Sequence, residues 1–387
     1  MQIRGIGLNI LDLVVAVWFA FAIMRTIKNN ITVATVAVML SLLASQAKGR
    51  VTLEQLGTLG GDFSMATGIN ESGQIVGAST TFDGKRHAFL YSNNLMIDLD
   101  TQNTDNSIAA AINDFGQVVG ANGYAYTNEF GTFYSSRAFL YDKGLMSNLI
   151  QDTNYSFAAG INDLGDIVVD KTLTNGETHA FVYTNGLMTD LGTLGGDFSG
   201  ASGINNRGEI VGLSDIANQG ADHPFLYNHG LMHDLGTLGG NLSAANAIND
   251  LGQVVGYSRT ASNIKEHPFL YSRGRMHDLG TFGGTYSHAY GINNWGHVVG
   301  ESQKRNGDYH AFLYSNGMLI DLNYLVHLTT TNRAAGFLLL ITASGINDQR
   351  EIVGTGAYWD GTNVTARAFL LKISGPFFSN WGWAGRR

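Results

Sequence analysis

Seven times along this chain one phrase returns: Ile-Asn, a tight turn, an Ile/Val-Val pair, then an Ala- or Pro-Phe-Leu-Tyr-like strand. The Ile-Asn pairs begin at Ile69, Ile112, Ile161, Ile204, Ile248, Ile292 and Ile346, separated by 43, 49, 43, 44, 44 and 54 residues. A period in the forties built from short strands marks a radial all-β array. In the cleanest unit, 187–227, Leu187–Asp190 alternates apolar and polar residues as a strand does. A glycine-rich loop follows, then strands around 202–205, 209–212 and 223–227, with Asn205-Asn-Arg-Gly208 as a tight turn. Four short antiparallel strands per repeat make one propeller blade. Phe225 and Tyr227, like Phe89 and Tyr91, lie two apart and share a face, which suits packing between neighbouring blades.

The phase of the repeats bears on closure. Residues 53–61 match the strand and glycine loop that follow each Phe-Leu-Tyr segment, yet no such segment precedes them. Residues 367–371 supply an aromatic strand whose continuation is missing. The sequence therefore predicts an all-β fold, a seven-bladed β-propeller of four-stranded blades, with an N-terminal strand completing the last one. Closure removes two open edges that would template aggregation. With strands like Leu187–Asp190 outermost, the Gly-Thr-Leu-Gly-Gly loops and the variable loops share one rim. The Asn-x-x-Gly turns share the other. The first rim holds the irregular sequence, and ligands are expected there.

Composition excludes several classes. The chain has 387 residues, no cysteine, 3 prolines, 50 glycines and a formal charge of −8. Its 44% apolar content suffices for a core. Absent cysteines rule out disulfides, thiol chemistry and cysteine-ligated zinc. The acidic balance argues against nucleic acid as a partner, which needs basic patches.

The first 47 residues are a different polymer. Arg25 and Lys28 precede a mostly apolar run, Ile31 to Leu43, and Ser45-Gln46-Ala47 offers a cleavage site. That is a signal peptide over 24–47, too short to span a bilayer. Upstream, 1–23 is hydrophobic but carries Asn9 and Asp12. Either Met24 is the true start or 1–23 is a membrane anchor. A carboxylate in mid-span costs about 2.5–3.5 kcal/mol, although Asp12 lies toward one end. Both readings export the repeats (48–373) to the periplasm or beyond, with membrane attachment only through the uncleaved N-terminal segment. An aromatic tail, 374–387, follows with Phe377, Phe378, Trp381 and Trp383, and could dock on the ring or on a partner.

Departures from the repeat are the remaining hints. The loop from Ala121 to Ser136 carries Tyr124, Tyr126, Phe130, Phe133 and Tyr134, which either stack on sugar or peptide or pack the loop onto its own blade. The insertion Asn323 to Ser344 contains Phe337-Leu-Leu-Leu-Ile341, read as a lengthened strand or as a partner-binding patch. Asp170 reads as replacing the glycine of Val-Val-Gly, and Arg350 replaces a turn glycine, which implies a changed turn type. His87, His179, His223, His267 and His310 each open an aromatic strand. Spread over five blades they cannot ligate one metal. An in-blade hydrogen bond fits them, with a pH-sensitive surface as the other reading. His233-Asp234 and His277-Asp278 point to opposite faces of a strand, which disfavours a shared catalytic role. No serine elbow, phosphate loop, zinc helix or calcium loop occurs, so no catalytic residue, metal or cofactor is assigned. Carboxylates converging on a propeller axis would escape such a search.

The phrase Leu-Gly-Thr-Leu-Gly-Gly…Gly-Ile-Asn-x-x-Gly-x-Ile-Val-Gly…His-Ala-Phe-Leu-Tyr resembles the bacterial extracellular HAF-repeat family, over roughly Leu53 to Leu371. The name reflects the His-Ala-Phe found at 87–89, 179–181 and 310–312. The resemblance implies export and a surface or secreted protein, and lends no catalytic residue. Some members end in a Pro-Glu-Pro sorting segment with a membrane span, whereas this chain ends Gly385-Arg-Arg387. The sequence thus points to a noncatalytic binding or scaffolding module for protein or glycan. The alternatives are a hydrolase or lyase on an extracellular polymer and a structural adhesion protein.

Overall fold

The computed structural model describes residues 50–100, 104, 106–128, 131–150, 155–217, 221–326 and 336–374, with backbone alone at 50 and over 124–128 and 131–134. The signal-peptide and anchor segments and the aromatic tail lie outside the described residues.

Blade 4 shows the unit. Its inner strand Gly195–Ile204 pairs antiparallel with Ile210–Ile216, which pairs with Asp222–Asn228, which pairs with the outer strand Leu231–Asp234. β-branched pairs such as Ile210-Val211 favour the pleated surface, and both side chains are buried. Asn205 and Gly208 reverse the chain between the first two strands, with Gly208 at φ +74°. Seven such units occupy 60–98, 106–148, 156–190, 195–234, 239–278, 283–321 and 337–374.

The seventh unit takes its outer strand from the other end of the chain. Arg50–Gln55 pairs antiparallel with Val364–Ser374, setting Leu53 opposite Leu371 and Gln55 opposite Phe369. The Leu56 amide donates to the Ala368 carbonyl at 3.0 Å, and Leu56 is buried with Phe89, Val353 and Leu370. The closure expected from the repeat phase is what the strands form.

Neighbouring blades are zipped by small polar groups. The Ala88, Ala138, Ala180 and Ala368 amides each donate to a serine Oγ on the next inner strand (Ser107, Ser156, Ser199 and Ser64). Where Pro224 and Pro268 stand in place of that alanine there is no N–H to give. Ser243 and Ser287 turn instead to the carbonyls of Tyr257 and Glu301.

The register explains Val-Val-Gly and corrects one reading. Gly77, Gly212 and Gly300 lie opposite Phe89, Phe225 and Phe312. A Cβ on Gly77 would stand 2.0 Å from the Met65 carbonyl oxygen and 2.9 Å from the Phe89 ring. In blade 3 the residue opposite Phe181 is Val169, so valine replaces the glycine and Asp170 follows it. Phe181 is 8% exposed, against 0% for Phe225 and Phe312, as expected if Val169 crowds its ring.

Arg350 also departs from expectation. Its turn keeps the usual type, with the Arg350 amide on the Asn347 carbonyl at 3.0 Å and φ at +63°. The side chain tolerates a left-handed backbone that disfavours it by about 1 kcal/mol. The segment 121–136 is a hairpin rather than a loop: 118–128 and 131–142 pair throughout, with Tyr126 opposite Phe133. The side chains of Tyr124, Tyr126, Phe133 and Tyr134, and Phe130 altogether, lie outside the described residues. The apolar run at 337–341 does not lengthen a strand: it lies within the inner strand Phe337–Ile346, which has the same ten residues as those of blades 1, 4, 5 and 6, and Phe337 packs edge-on to Phe369. A single-turn helix, Leu322–Leu325, precedes it.

Candidate functional site

The inner strands line an axial channel in three layers, and the first explains the Ile-Asn signature. At the turn rim each asparagine side chain donates to the backbone carbonyl of the next blade's asparagine. Asn70 reaches Asn113, Asn113 reaches Asn162, and the series runs on through Asn205, Asn249 and Asn293 to Asn347. Asn347 returns to Asn70 at 3.1 Å and closes the circle. A second circle uses the following residue. The Glu71 amide donates to Asp114, Asp114 to Asp163, Asp163 to Asn206, and so on until the Asp348 amide meets Glu71 at 3.1 Å.

This second circle sets five carboxylates (Glu71, Asp114, Asp163, Asp250 and Asp348) around a cavity of about 290 Å³. Asn206 and Asn294 hold adjacent carboxylates apart by donating to Asp163, Asp250 and Asp348. Burial, with repulsion from Asp348 and Asp114, pushes the Glu71 carboxyl above its ordinary range. The carboxylates are closing elements, each accepting a neighbour's backbone N–H. Among the described residues no cluster of three or more His, Asp or Glu has metal-holding geometry. The middle layer is a belt of the seven repeat isoleucines around about 310 Å³.

The third layer, on the loop rim, breaks the symmetry. A cavity of about 580 Å³ opens over blades 5, 6, 7 and 1, walled by Phe63, Met65, Asn246, Tyr290, Glu301 and Thr342 among others. The Tyr290 hydroxyl donates to Glu301 Oε1 at 2.9 Å, and Thr342 donates to Oε2 at 2.6 Å. Burial first, then the Glu301 charge, pushes the Tyr290 phenol upward, so it stays a donor. Behind it, His288 bonds Glu266 at 2.8 Å and stacks on Tyr257 with ring centroids 4.0 Å apart. Glu266 also accepts from Arg259 at 3.1 Å.

Sequence reading missed this group because no motif contains it. The usable signal lay in departures at single repeat positions. Tyr290 stands where the other inner strands hold Thr67, Ala110, Ala159, Ser202, Asn246 and Ser344. Turn tips carry a similar signal: Phe115, Leu164, Leu251 and Trp295 are 65–75% exposed around the acidic circle.

The five recurrent histidines serve their own blades. Each Nδ1 bonds an aspartate on the outer strand: His87 with Asp98, His179 with Asp190, His223 with Asp234, His267 with Asp278 and His310 with Asp321. Asp234 and Asp278 thus face the third strand, away from His233 and His277 beside them. In blade 2, where Arg137 replaces the histidine, Asn148 replaces the aspartate.

Asp170 sits between blades 3 and 4. Burial pushes its carboxyl up to about 7, against one stabilising bond from the Ala201 amide at 2.7 Å. The unfolded chain loses that proton near pH 4. Between pH 4 and 7 the folded state therefore binds more protons, and stability falls as pH rises, levelling above 7. Asp170→Asn retains the acceptor for Ala201. It is expected to match wild type near pH 4 and to exceed it by on the order of 4 kcal/mol at pH 8, read by chemical unfolding across pH.

No protein-family model matches the chain, and no curated protein matches it. Solved structures do. The β-propeller domain of the Trilobed protease from Pyrococcus furiosus, described as having an open velcro topology, superposes with a TM-score of 0.50 at 10% identity, covering 84% of this chain and 99% of that one. The chain is a β-propeller. TolB from Acinetobacter baumannii is similar at a TM-score of 0.45 and 13% identity, covering 64% of this chain. A puromycin-hydrolyzing peptidase of Mycobacterium tuberculosis gives 0.49 and 12% over 84% of this chain. This propeller spans 62% of the TolB chain and 52% of the peptidase. At these identities the likeness is one of fold.

Proposed function

We propose that the chain is an exported, noncatalytic binding module that seats a protein or glycan ligand in the loop-rim mouth of its channel. One observation carries this reading: side chains that break the repeat (Tyr290, Glu301 and Thr342) converge on one mouth of about 580 Å³, on a frame otherwise nearly seven-fold. A mixed apolar and polar concavity of this size is what a ligand site requires. The HAF-like phrase and the signal-peptide pattern over 24–47 support export. The aromatics of the 121–136 hairpin are proposed as an outlying ligand contact.

Glycan and peptide arrays test the proposal with two variants. Met65→Trp fills the mouth at an inner-strand position where blade 6 carries His288. It is expected to lower ligand binding at least tenfold while the unfolding midpoint changes little. Shortening the hairpin should weaken binding further only if Tyr124 and its neighbours touch the ligand. Binding that survives Met65→Trp unchanged would remove the mouth from consideration.

The second reading, a polymer hydrolase or lyase, is favoured by Asp215 and Asp222, which face each other across two strands of blade 4. Burial and the neighbouring Asp222 push Asp215 up to about 6, the direction that suits a general acid. It requires soluble fragments released from a polymer and their loss in Asp222→Asn.

A further inference from the structure

We infer that the mouth recognises a cationic chain end, an alkylammonium or guanidinium on an apolar stem, with Glu301 as its anchor. The inference rests on the mouth being the ligand seat. The cavity lining holds one formally charged side chain, Glu301, and no lysine or arginine. Its two oxygens accept from neutral hydroxyls, Tyr290 and Thr342. Those bonds fix the carboxylate's orientation and leave its charge unbalanced. A carboxylate has about four lone-pair sites, so acceptor capacity remains after two such bonds.

Glu266 nearby provides the contrast. Its carboxylate meets Arg259 on one oxygen and His288 on the other, an internally balanced group. Among the described residues no ion pair involves Glu301. The walls supply the stem's surroundings: Phe63, Met65 and Ala66 are apolar, and Tyr290 adds a ring face that also favours a cation. An anionic end would meet like charge. A neutral hydroxyl would gain a hydrogen bond without the charge assistance.

The test uses the full chain and three probes of equal length, hexylamine, hexanol and hexanoate, with affinity read by NMR titration. Hexylamine is expected to bind at least tenfold more tightly than hexanol, and hexanoate least. Glu301→Gln keeps an acceptor for Tyr290 or Thr342 and should equalise amine and alcohol. Tyr290→Phe, which leaves the charge in place, should keep the preference for the amine, and it guards against a folding defect in the first variant. Equal binding of amine and alcohol by wild type, abolished by Met65→Trp, would overturn the cation assignment and leave the mouth standing. Amine preference that persists in Glu301→Gln would overturn Glu301 as anchor. Failure of every probe to bind, or binding untouched by Met65→Trp, would overturn the mouth reading as well.

Discussion

A chain beginning at Gly57 is expected to be less stable than one beginning at Arg50 by roughly 5 kcal/mol, and to expose an unpaired edge on blade 7. The loss has two parts. Leu56 is 4% exposed in a cluster with Phe89 and Leu370, and burying such a side chain contributes about 1.5–3 kcal/mol. The six paired residues of Arg50–Gln55 add a ladder of backbone hydrogen bonds at about 0.5–1.5 kcal/mol each. Domains are commonly stable by only about 5–15 kcal/mol, so the shortened chain sits near its threshold. A synthetic peptide of residues 50–56 should raise the unfolding midpoint in a concentration-dependent way, because it binds the folded edge and not the unfolded chain. A loss below about 1 kcal/mol in denaturant titration would show that the strand adds nothing to the ring.

Asn249→Ala should lower stability by about 3 kcal/mol, and Asn249→Asp by at least as much. Asn249 is 4% exposed, and its Oδ1 accepts the amides of Leu251 and Gln253 while Nδ2 donates to the Asn293 carbonyl and to Gln253. Alanine removes all four bonds and leaves that buried carbonyl with the Gly296 amide alone. Aspartate preserves the acceptor that builds the turn, and in an isolated turn it would replace asparagine well. In the circle it turns an oxygen toward the Asn293 carbonyl and buries a charge. The ordering of the two variants separates a turn-forming role from an inter-blade one. If aspartate is tolerated and alanine is not, the asparagine circle contributes little.

Much of the frame was legible because it is written seven times. Period, strand alternation and the turn residues are local, and the unmatched segments 53–61 and 367–371 betrayed the closing pair. The register was less accessible. Val-Val-Asp at 168–170 reads naturally as a copy of Val-Val-Gly, but the constant distance from the Ile-Asn asparagine to that glycine falls on Val169, and the pairing of Val169 with Phe181 shows the same shift by one. The hairpin at 121–136 was misread as a loop because its glycines and asparagines mimic turn composition, whereas its pairing depends on two segments meeting. The mouth was invisible for a related reason. Tyr290, Glu301 and Thr342 belong to two blades and occupy positions that vary from repeat to repeat, so the repeated phrase does not mark them as meeting. The function of the Ile-Asn pair was hidden in the same way: each asparagine's decisive partner lies 43 to 54 residues away, or 277 for the closing bond.

The ring closes where the N-terminal strand completes blade 7 beside Val364–Ser374. The absence of native cysteines gives a direct test of that closure. Thr52 and Lys372 lie directly opposite each other, and such pairs hold their Cβ atoms about 4.5–5.5 Å apart, near disulfide reach. Thr52→Cys combined with Lys372→Cys should form one intramolecular disulfide on oxidation, with a yield independent of protein concentration, joining the two terminal peptides in a mass-spectrometric digest. Two free thiols after oxidation, or disulfides formed only between chains, would contradict closure of the ring by the N-terminal strand.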